Sequence, residues 1–234
     1  MIHIEHFTFN DFQTRCSVVW DETLECAIVD PGCSSASEIS KVTGFIAGKG
    51  LKPVCIMLTH GHFDHVLGVA ELAAHYAHPT DGPDSPATPL PVYMHPADKF
   101  TLENNEYFCR WFGAPLPASF ETVDVREEGE VSTVKVGGLS FKVIDTPGHT
   151  VGGVCYYEPA EKVLFSGDTL FAGAIGRTDH PGGDYDMIMK SILEKIVTLD
   201  GSVTVIPGHG PCTDIATEGM TNPFLLPFNE PFEE

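Results

Sequence analysis

Short apolar runs bounded by turn residues recur along the chain and predict β-strands. Two of them come early, at Thr14–Trp20 and 24–30, and are separated by the polar turn signal Asp-Glu-Thr. Further strands are predicted at 54–58, 131–136, Leu139–Asp145, 152–157, 162–166 and 203–206. Strands are therefore expected at intervals from residue 14 to residue 206.

Helical spacing of apolar residues marks the segments between these runs. Segment 35–49 has a polar start followed by Ile39, Val42, Phe45 and Ile46, which is the spacing of one apolar helix face. Further helices are predicted at 64–75, 96–112 and 185–199. Helices among strands are typical of an α/β protein.

Proline distinguishes two segments from this pattern. Segment 77–91 contains five prolines, which exclude a helix or a central strand and predict a surface loop. The tail, 219–234, is rich in proline and phenylalanine, and we expect it to cover the protein body or a neighbouring subunit. No linker divides the 234 residues, so a single domain over 1–234 is expected.

The charge balance argues against two classes of partner. There are 33 Asp and Glu residues against 13 Lys and Arg, a formal charge of −20, which repels phosphate backbones and anionic lipids. No apolar run approaches the roughly 20 residues that span a bilayer, and the first residues show no secretory pattern. We expect a cytoplasmic protein with no nucleic-acid partner and no membrane contact, and a homo-oligomer is left open.

The seven cysteines are scattered and include no C-x-x-C pair. Several lie inside apolar runs, which favours buried free thiols in a reducing compartment over disulfides or a thiolate metal site.

Four candidate metal-ligand side chains lie within six residues in His60-Gly-His62-Phe-Asp64-His65, directly after an apolar strand. In an extended segment, side chains at i and i+2 point to the same side, so His60 and His62 can bind one cation. Asp64 and His65, where the chain turns into a helix, can face a second cation. Asp64 could instead cap the helix, but that alternative leaves three histidines unexplained.

Three more candidate ligands follow downstream strands. His149 lies in Thr-Pro-Gly-His-Thr, Asp168 in Ser-Gly-Asp-Thr and His209 in Pro-Gly-His-Gly. Each is near glycine or proline after a strand, where loops from one sheet edge converge. Together with the first motif, they predict a metal centre.

This series of motifs resembles the metallo-β-lactamase superfamily over nearly the whole chain. The resemblance implies an αββα sandwich of two mixed β-sheets with flanking helices and a metal site at one edge. It implies two ligand sets and a bridge: His60, His62 and His149 for the first metal, Asp64, His65 and His209 for the second, and Asp168 between them.

Imidazole and carboxylate ligands suit zinc, with iron or manganese as alternatives. Two divalent ions a few Å apart can share a hydroxide whose pKa is lowered toward ~7, and they can polarise a carbonyl. Asp64 and Asp168 are the carboxylates expected to take part in catalysis.

A longer segment indicates a branch of this superfamily. Gly-Asp-Thr-Leu-Phe-Ala-Gly-Ala-Ile-Gly-Arg-Thr-Asp, residues 167–179, resembles the short, single-domain glyoxalase II-like hydrolases. The segment Pro-Gly-His-Gly-Pro, followed by Thr-Asn-Pro-Phe, resembles them as well. These are thioesterases that cleave hydroxyacylglutathione, so the resemblance implies a small-molecule thioester substrate. A thiolate leaves readily because a thiol has a pKa of about 8.5.

The chain departs from glyoxalase II in its substrate contacts. We expect no helical glutathione-binding domain within the 234 residues, and Asp179 and Gly210 stand where tyrosines would be expected. Arg177 matches a basic residue of that family and could clamp a substrate carboxylate, or pair with Asp179 or Asp184. His180 could face the mouth of the pocket or be an ordinary loop histidine.

Two other functions remain open. An iron-dependent persulfide dioxygenase resembles the same motifs and would hold one iron at His60, His149 and Asp168. A metal-bearing redox or sensory binding module is the alternative outside enzymes. Structural zinc sites are usually closed by four ligands, often cysteines, which disfavours that module.

Overall fold

A computed structural model describes residues 1–79 and 87–229 and contains two six-stranded sheets. In chain order the strands are β1 (His3–Phe9), β2 (Thr14–Trp20), β3 (Glu25–Val29), β4 (Lys52–Met57), β5 (His78–Pro79), β6 (Ala87–Thr88), β7 (Val92–Met94), β8 (Val123–Asp124), β9 (Thr133–Val136), β10 (Leu139–Asp145), β11 (Val154–Glu158), β12 (Val163–Gly167), β13 (Leu170–Phe171), β14 (Ala174–Ile175), β15 (Thr204–Pro207) and β16 (Thr213–Asp214).

The helices connect these strands. They are α1 (Ala36–Lys49), α2 (Phe63–Val66), α3 (Val69–His75), α4 (Lys99–Phe112), α5 (Tyr185–Ser191), α6 (Ile215–Thr221) and α7 (Leu226–Asn229). A 3₁₀ turn, Pro96–Asp98, precedes α4, and a π-helical turn, Ile192–Ile196, continues α5.

Both sheets mix parallel and antiparallel strands. The first has the order β1-β2-β3-β4-β7-β8, with parallel pairing from β3 to β8. The second has the order β16-β15-β12-β11-β10-β9, in which β12 and β15 are parallel. The expected sandwich of two mixed sheets is therefore confirmed.

The two-residue period of β4 explains the layers. Cys55 and Met57 face the second sheet, where they belong to the same buried cluster as Phe165. Ile56 and Leu58 point the other way, into a cluster that includes apolar residues of α1 and α3. A third cluster packs α5 and the π-helical turn on the outer face of the second sheet. Each sheet thus has one face on its partner and one face under helices.

The predicted helix at 64–75 is interrupted, and the reason lies in tertiary contacts. The amide of Gly68 donates to the carbonyl of Pro31 at 2.8 Å, while the carbonyl of Asp64 accepts from Asn10 at 2.9 Å. A Cβ at Gly68 would lie 2.8 Å from the Cβ of Cys33. The loop after β3 therefore crosses at this glycine and separates α2 from α3.

Other sequence predictions agree closely. The helix at 35–49 is α1, with Ser35 as N-cap and Gly50 in a left-handed conformation after its end. All seven cysteines are free thiols, and all except Cys212 are buried. No helix within residues 1–79 and 87–229 is both long and apolar enough to cross a bilayer.

The two proline-rich segments fall partly outside the described residues. In segment 77–91, β5 pairs with β6, and 80–86 lie outside. In the tail, Leu225 is buried against the second sheet's helical layer, while Phe224 is exposed. Residues 230–234 lie outside the described part of the chain.

Candidate metal centre

The residues predicted as metal ligands converge at one edge of the sandwich, at the ends of strands. In chain order they are His60 and His62 after β4, Asp64 and His65 in α2, His149 after β10, Asp168 after β12 and His209 after β15. Because β12 and β15 are parallel neighbours, the loops that carry Asp168 and His209 leave the sheet at the same edge. A Cβ at Gly208 would lie 2.3 Å from Oδ1 of Asp168, so the close approach of these loops requires glycine there.

The first ligand set consists of His60, His62 and His149. One potential ligand atom from each lies within 4.8 Å of the others. Nδ1 of His62 and Nε2 of His149 are 3.0 Å apart. Two nitrogens bound tetrahedrally to one zinc ion at ~2.05 Å are about 3.3 Å apart, so this spacing is close to that of ligands around a single ion.

The second ligand set consists of Asp64, His65 and His209. The Nε2 atoms of the two histidines are 3.2 Å apart. Oδ2 of Asp64 lies 3.5 Å from each of these nitrogens. The set combines two imidazoles and one carboxylate.

Asp168 lies between the two sets. Its Oδ1 is 3.5 Å from Nε2 of His65, and its Oδ2 is 3.6 Å from Nε2 of His149 and 3.4 Å from Nε2 of His209. Its carboxylate can therefore reach both sets, as the resemblance implied.

Buried atoms without partners support metal binding at this edge. Among the described residues, Nε2 of His60 and Oδ1 of Asp168 are buried and make no hydrogen bond. Buried polar atoms are normally paired, so a group that accepts their lone pairs is expected here. Imidazole and carboxylate donors fit a divalent transition metal.

Contacts behind the histidines orient their rings. Nδ1 of His149 donates to the carbonyl of Arg177 at 2.8 Å, and Nδ1 of His209 donates to the carbonyl of Phe12 at 3.0 Å. Nδ1 of His65 lies 3.2 Å from Oδ2 of Asp30. Because Nδ1 of each ring faces a carbonyl or a carboxylate oxygen, Nε2 is directed to the centre, an arrangement common behind metal-bound histidines.

Asp30 was not predicted from the sequence as a site residue, yet it organises both sets. Its carboxylate accepts from the amide of Thr59 at 2.8 Å and from the hydroxyl of Thr59 at 2.6 Å. Because that hydroxyl donates to Asp30, it can accept from Nδ1 of His60, 3.1 Å away. Asp30 is in the left-handed region, with φ of 46°, a strained conformation held by its surroundings.

The start of β2 supports the second set, and its role was also missed. The hydroxyl of Thr14 donates to Oδ2 of Asp64 at 2.7 Å. The guanidinium of Arg15 donates to the carbonyls of Pro207 and Gly210, on either side of His209. The first two residues of β2 therefore support two of the three second-set ligands, Asp64 and His209.

Asp98 performs the corresponding task for the first set. Its carboxylate accepts from the amide of Gly61, between two ligands, and from the amide of Gly152 at 2.9 Å, in the loop that carries His149. Nδ2 of Asn105 donates to the carbonyl of Gly61 at 2.8 Å. The 3₁₀ turn and α4 thus connect the two loops that hold this set.

The electrostatics of the two sets differ. Burial lowers the pKa of His60 and His62 well below the usual value, and it lowers the pKa of His149. Burial also opposes protonation of His65, but the carboxylates of Asp64, Asp168 and Asp30 outweigh it and raise the pKa of His65 to about 10. In the metal-free protein, the first set is therefore neutral near pH 7, and the second set retains a proton.

Two of the candidate ligand histidines also determine the protonation state of Asp168. Burial raises the pKa of Asp168, but the charges of His65 and His209 and a hydrogen bond from His209 outweigh it. The pKa of Asp168 is therefore well below its usual value, and the carboxylate stays ionised.

A cleft of about 200 Å³ opens over both sets. It is lined by Phe12, His62, Phe63, Asp64, Phe108, Phe112, His149, Asp168, Arg177, His180 and His209. The cleft gives a small molecule access to the ligand side chains.

Both candidate substrate-binding residues, Arg177 and His180, line this cleft. Arg177 binds Asp179 through Nε at 2.9 Å and Nη2 at 3.1 Å, so of the alternatives left open the structure contains the ion pair with Asp179. The ring of His180 lies 4.9 Å from that of His62 and 5.1 Å from that of His149. Its Nε2 is buried and makes no hydrogen bond within the described residues.

Comparisons with known proteins cover the whole site. The model of the family described as the metallo-beta-lactamase superfamily matches residues 9–209. A Haemophilus influenzae protein described as hydroxyacylglutathione hydrolase GloC is 35% identical over 225 residues, which cover 96% of this chain and 98% of that protein.

Two solved structures are similar in both sequence and fold. The structure of BLEG-1 B3 metallo-beta-lactamase has a TM-score of 0.82 at 32% identity and covers 95% of this chain and 99% of its own. That of TTHA1623 in a di-iron-bound form has a TM-score of 0.78 at 34% identity, covering 94% of this chain and 100% of its own. The region matched by the family model ends at residue 209 and so contains both ligand sets.

Proposed function

The chain belongs to the metallo-β-lactamase superfamily as a metal-dependent hydrolase, and from that premise we propose that it cleaves small acyl thioesters with two divalent metals. The observation that carries the proposal is the pair of three-residue ligand sets with Asp168 between them, open to a cleft. The similarity to a protein described as hydroxyacylglutathione hydrolase supports the thioester bond as the target.

The residues that would hold the metals divide as described, with His60, His62 and His149 at one site. Metal ions bound there and at the second set would supply an activated water nucleophile and polarise the carbonyl under attack. Zinc and iron both fit the donor atoms, and one similar structure is described as di-iron.

The protein's own contribution is to position and stabilise charge. Asp168 stays ionised because nearby histidines lower its pKa, so it can hold two cationic centres together. Asp64 is fixed by Thr14 and also lines the cleft, where its carboxylate can accept a proton from water.

No separate acid is required for the leaving group. A thiolate departs readily at neutral pH because the thiol pKa is about 8.5. Apart from the ligand sets and Asp168, the cleft offers only Arg177 and His180 as titratable side chains among the described residues, which agrees with a good leaving group.

Metal content and substrate together test this proposal. The protein reconstituted with zinc or iron should hold close to two metals per chain and cleave thioesters, and chelation should abolish turnover. One iron per chain, with oxygen consumption on glutathione persulfide and no thioester cleavage, would move the assignment to a dioxygenase. A cephalosporin in the same panel addresses the similarity to BLEG-1, described as a B3 metallo-beta-lactamase.

A further inference from the structure

One wall of the cleft is aromatic. It is formed by Phe12 from the β1–β2 turn, Phe63 from α2, and Phe108 and Phe112 from α4. Phe12 packs edge-on against Phe63 and Phe112, with ring centroids 5.0 and 5.2 Å apart. Phe108 lies 5.1 Å from the ring of His62. The wall therefore reaches the first ligand set.

The space beside this wall matches a ring-sized group. The cleft encloses about 200 Å³, and an apolar cavity of roughly 150 Å³ is sufficient to hold benzene. Phe112 is 47% exposed, so it has surface left for a ligand to cover. Covering it would remove apolar surface of both partners from water.

Apart from the proposed metal positions, the cleft offers little positive charge to glutathione. Among its lining residues Arg177 is the only lysine or arginine, and its guanidinium already binds Asp179. Either carboxylate of glutathione would have to displace Asp179 from this pair and would be repelled by it. The cleft therefore offers glutathione little charge-specific attraction.

We infer that the cleft selects substrates by an uncharged aromatic group next to the scissile bond, and not by the charges of glutathione. The inference rests on the proposed thioesterase function and names the substrate class of that site. The apolar group can belong to the acyl part or to the thiol, and matched substrates distinguish the two.

The test compares two adjacent aromatic residues of α4. Phe112→Ala removes part of the wall, and Trp111→Ala removes a ring of the same helix that lies outside the cleft and is 74% exposed. Phe112→Tyr keeps the ring. Circular dichroism and metal content should agree between all variants and the parent protein.

Two substrate pairs measure the preference. Acetyl and phenylacetyl thioesters of N-acetylcysteamine vary the acyl part, while acetyl thioesters of glutathione and benzyl mercaptan vary the thiol. We expect about a tenfold higher kcat/KM for the aromatic member of at least one pair. Phe112→Ala should abolish this ratio, whereas Trp111→Ala and Phe112→Tyr should keep it.

The inference is overturned if acetylglutathione is the best substrate, or if Phe112→Ala and Trp111→Ala change the ratio equally. If no thioester is cleaved, the proposed function fails. The preference of the cleft for an aromatic group is then tested by ligand binding. Titration should then show phenylacetate binding about tenfold more tightly than acetate, with the difference lost in Phe112→Ala. Equal binding of the two acids would overturn the inference as well.

Discussion

The two ligand sets lie side by side, share Asp168, and differ in charge and in support. The first is built from three neutral imidazoles, and its loops are connected by Asp98. The second includes the carboxylate of Asp64 and has Asp30 behind His65. One edge of one fold thus provides two sites with different proton affinities.

The difference shows two ways in which a buried site can control the protonation of histidines that would bind a cation. In the first set burial, reinforced by the neighbouring histidines, keeps the imidazoles deprotonated, so their lone pairs are available. In the second, the carboxylates that would attract a metal also attract a proton to His65. We therefore expect the two sites to respond differently to mutation and to pH.

The largest effect is expected from Asp168→Ala, which removes the residue shared by both sets. Without this carboxylate, two cations would face each other with less compensation, so one should be lost. Turnover should fall by at least about a thousandfold, as for other groups that stabilise the transition state directly. Elemental analysis and kinetics check this, and two retained metals would contradict the bridging role.

A smaller effect, confined to the second set, is expected from Thr14→Val. The substitution removes the hydrogen bond to Asp64 while preserving the shape of the side chain. Loss of such a supporting contact typically weakens metal affinity roughly 10–100-fold. Competition with a chelator should show one weakened site and one unchanged site, and Thr14→Ser should restore both. Equal weakening of metal binding at both sites would mean that Thr14 does not support the second set specifically.

Metal binding at the two ligand sets should release different numbers of protons. Near neutral pH His65 of the metal-free protein is protonated because its pKa is raised to about 10, so a metal entering the second set must displace that proton. The first-set histidines have lowered pKa values and should release none. Raising the pH toward about 10 should therefore tighten the second site only. Calorimetry in buffers of different ionisation enthalpy measures the number of protons, and equal release at both sites would contradict the contrast.

The smallest effect is expected from Arg177→Ala. The side chain is 69% exposed and paired with Asp179, and an exposed ion pair contributes only about 0–1 kcal/mol to stability. Metal content should remain unchanged, as should the ratio of kcat/KM between glutathione and N-acetylcysteamine thioesters. A selective loss of roughly tenfold or more on the glutathione thioester would show that Arg177 releases Asp179 and clamps a substrate carboxylate.

Sequence patterns predicted the strands of four or more residues except β1, the long helices α1 and α4, and the candidate ligand side chains, because their signals are local. Apolar periodicity is imposed by the core that lies under each element, as in α1. The ligand motif from His60 to His65 packs its donors into six residues, and the other ligands follow strands next to glycine or proline. Convergence of strand ends then follows from the sheet.

Only the tertiary structure identified the residues that contact the ligands from behind and the ion-pair partner of Arg177. Thr14 and Asp64 are 50 positions apart, and Asp30 and Thr59 are 29 apart. Threonine and aspartate are also common in turns and caps, so nothing local marks these partners. Arg177 had carboxylates nearby in sequence, and the folded loop determined that it pairs with Asp179. Hydrogen-bond partners depend on distances of a few tenths of an ångström, which are defined only when distant segments have packed together.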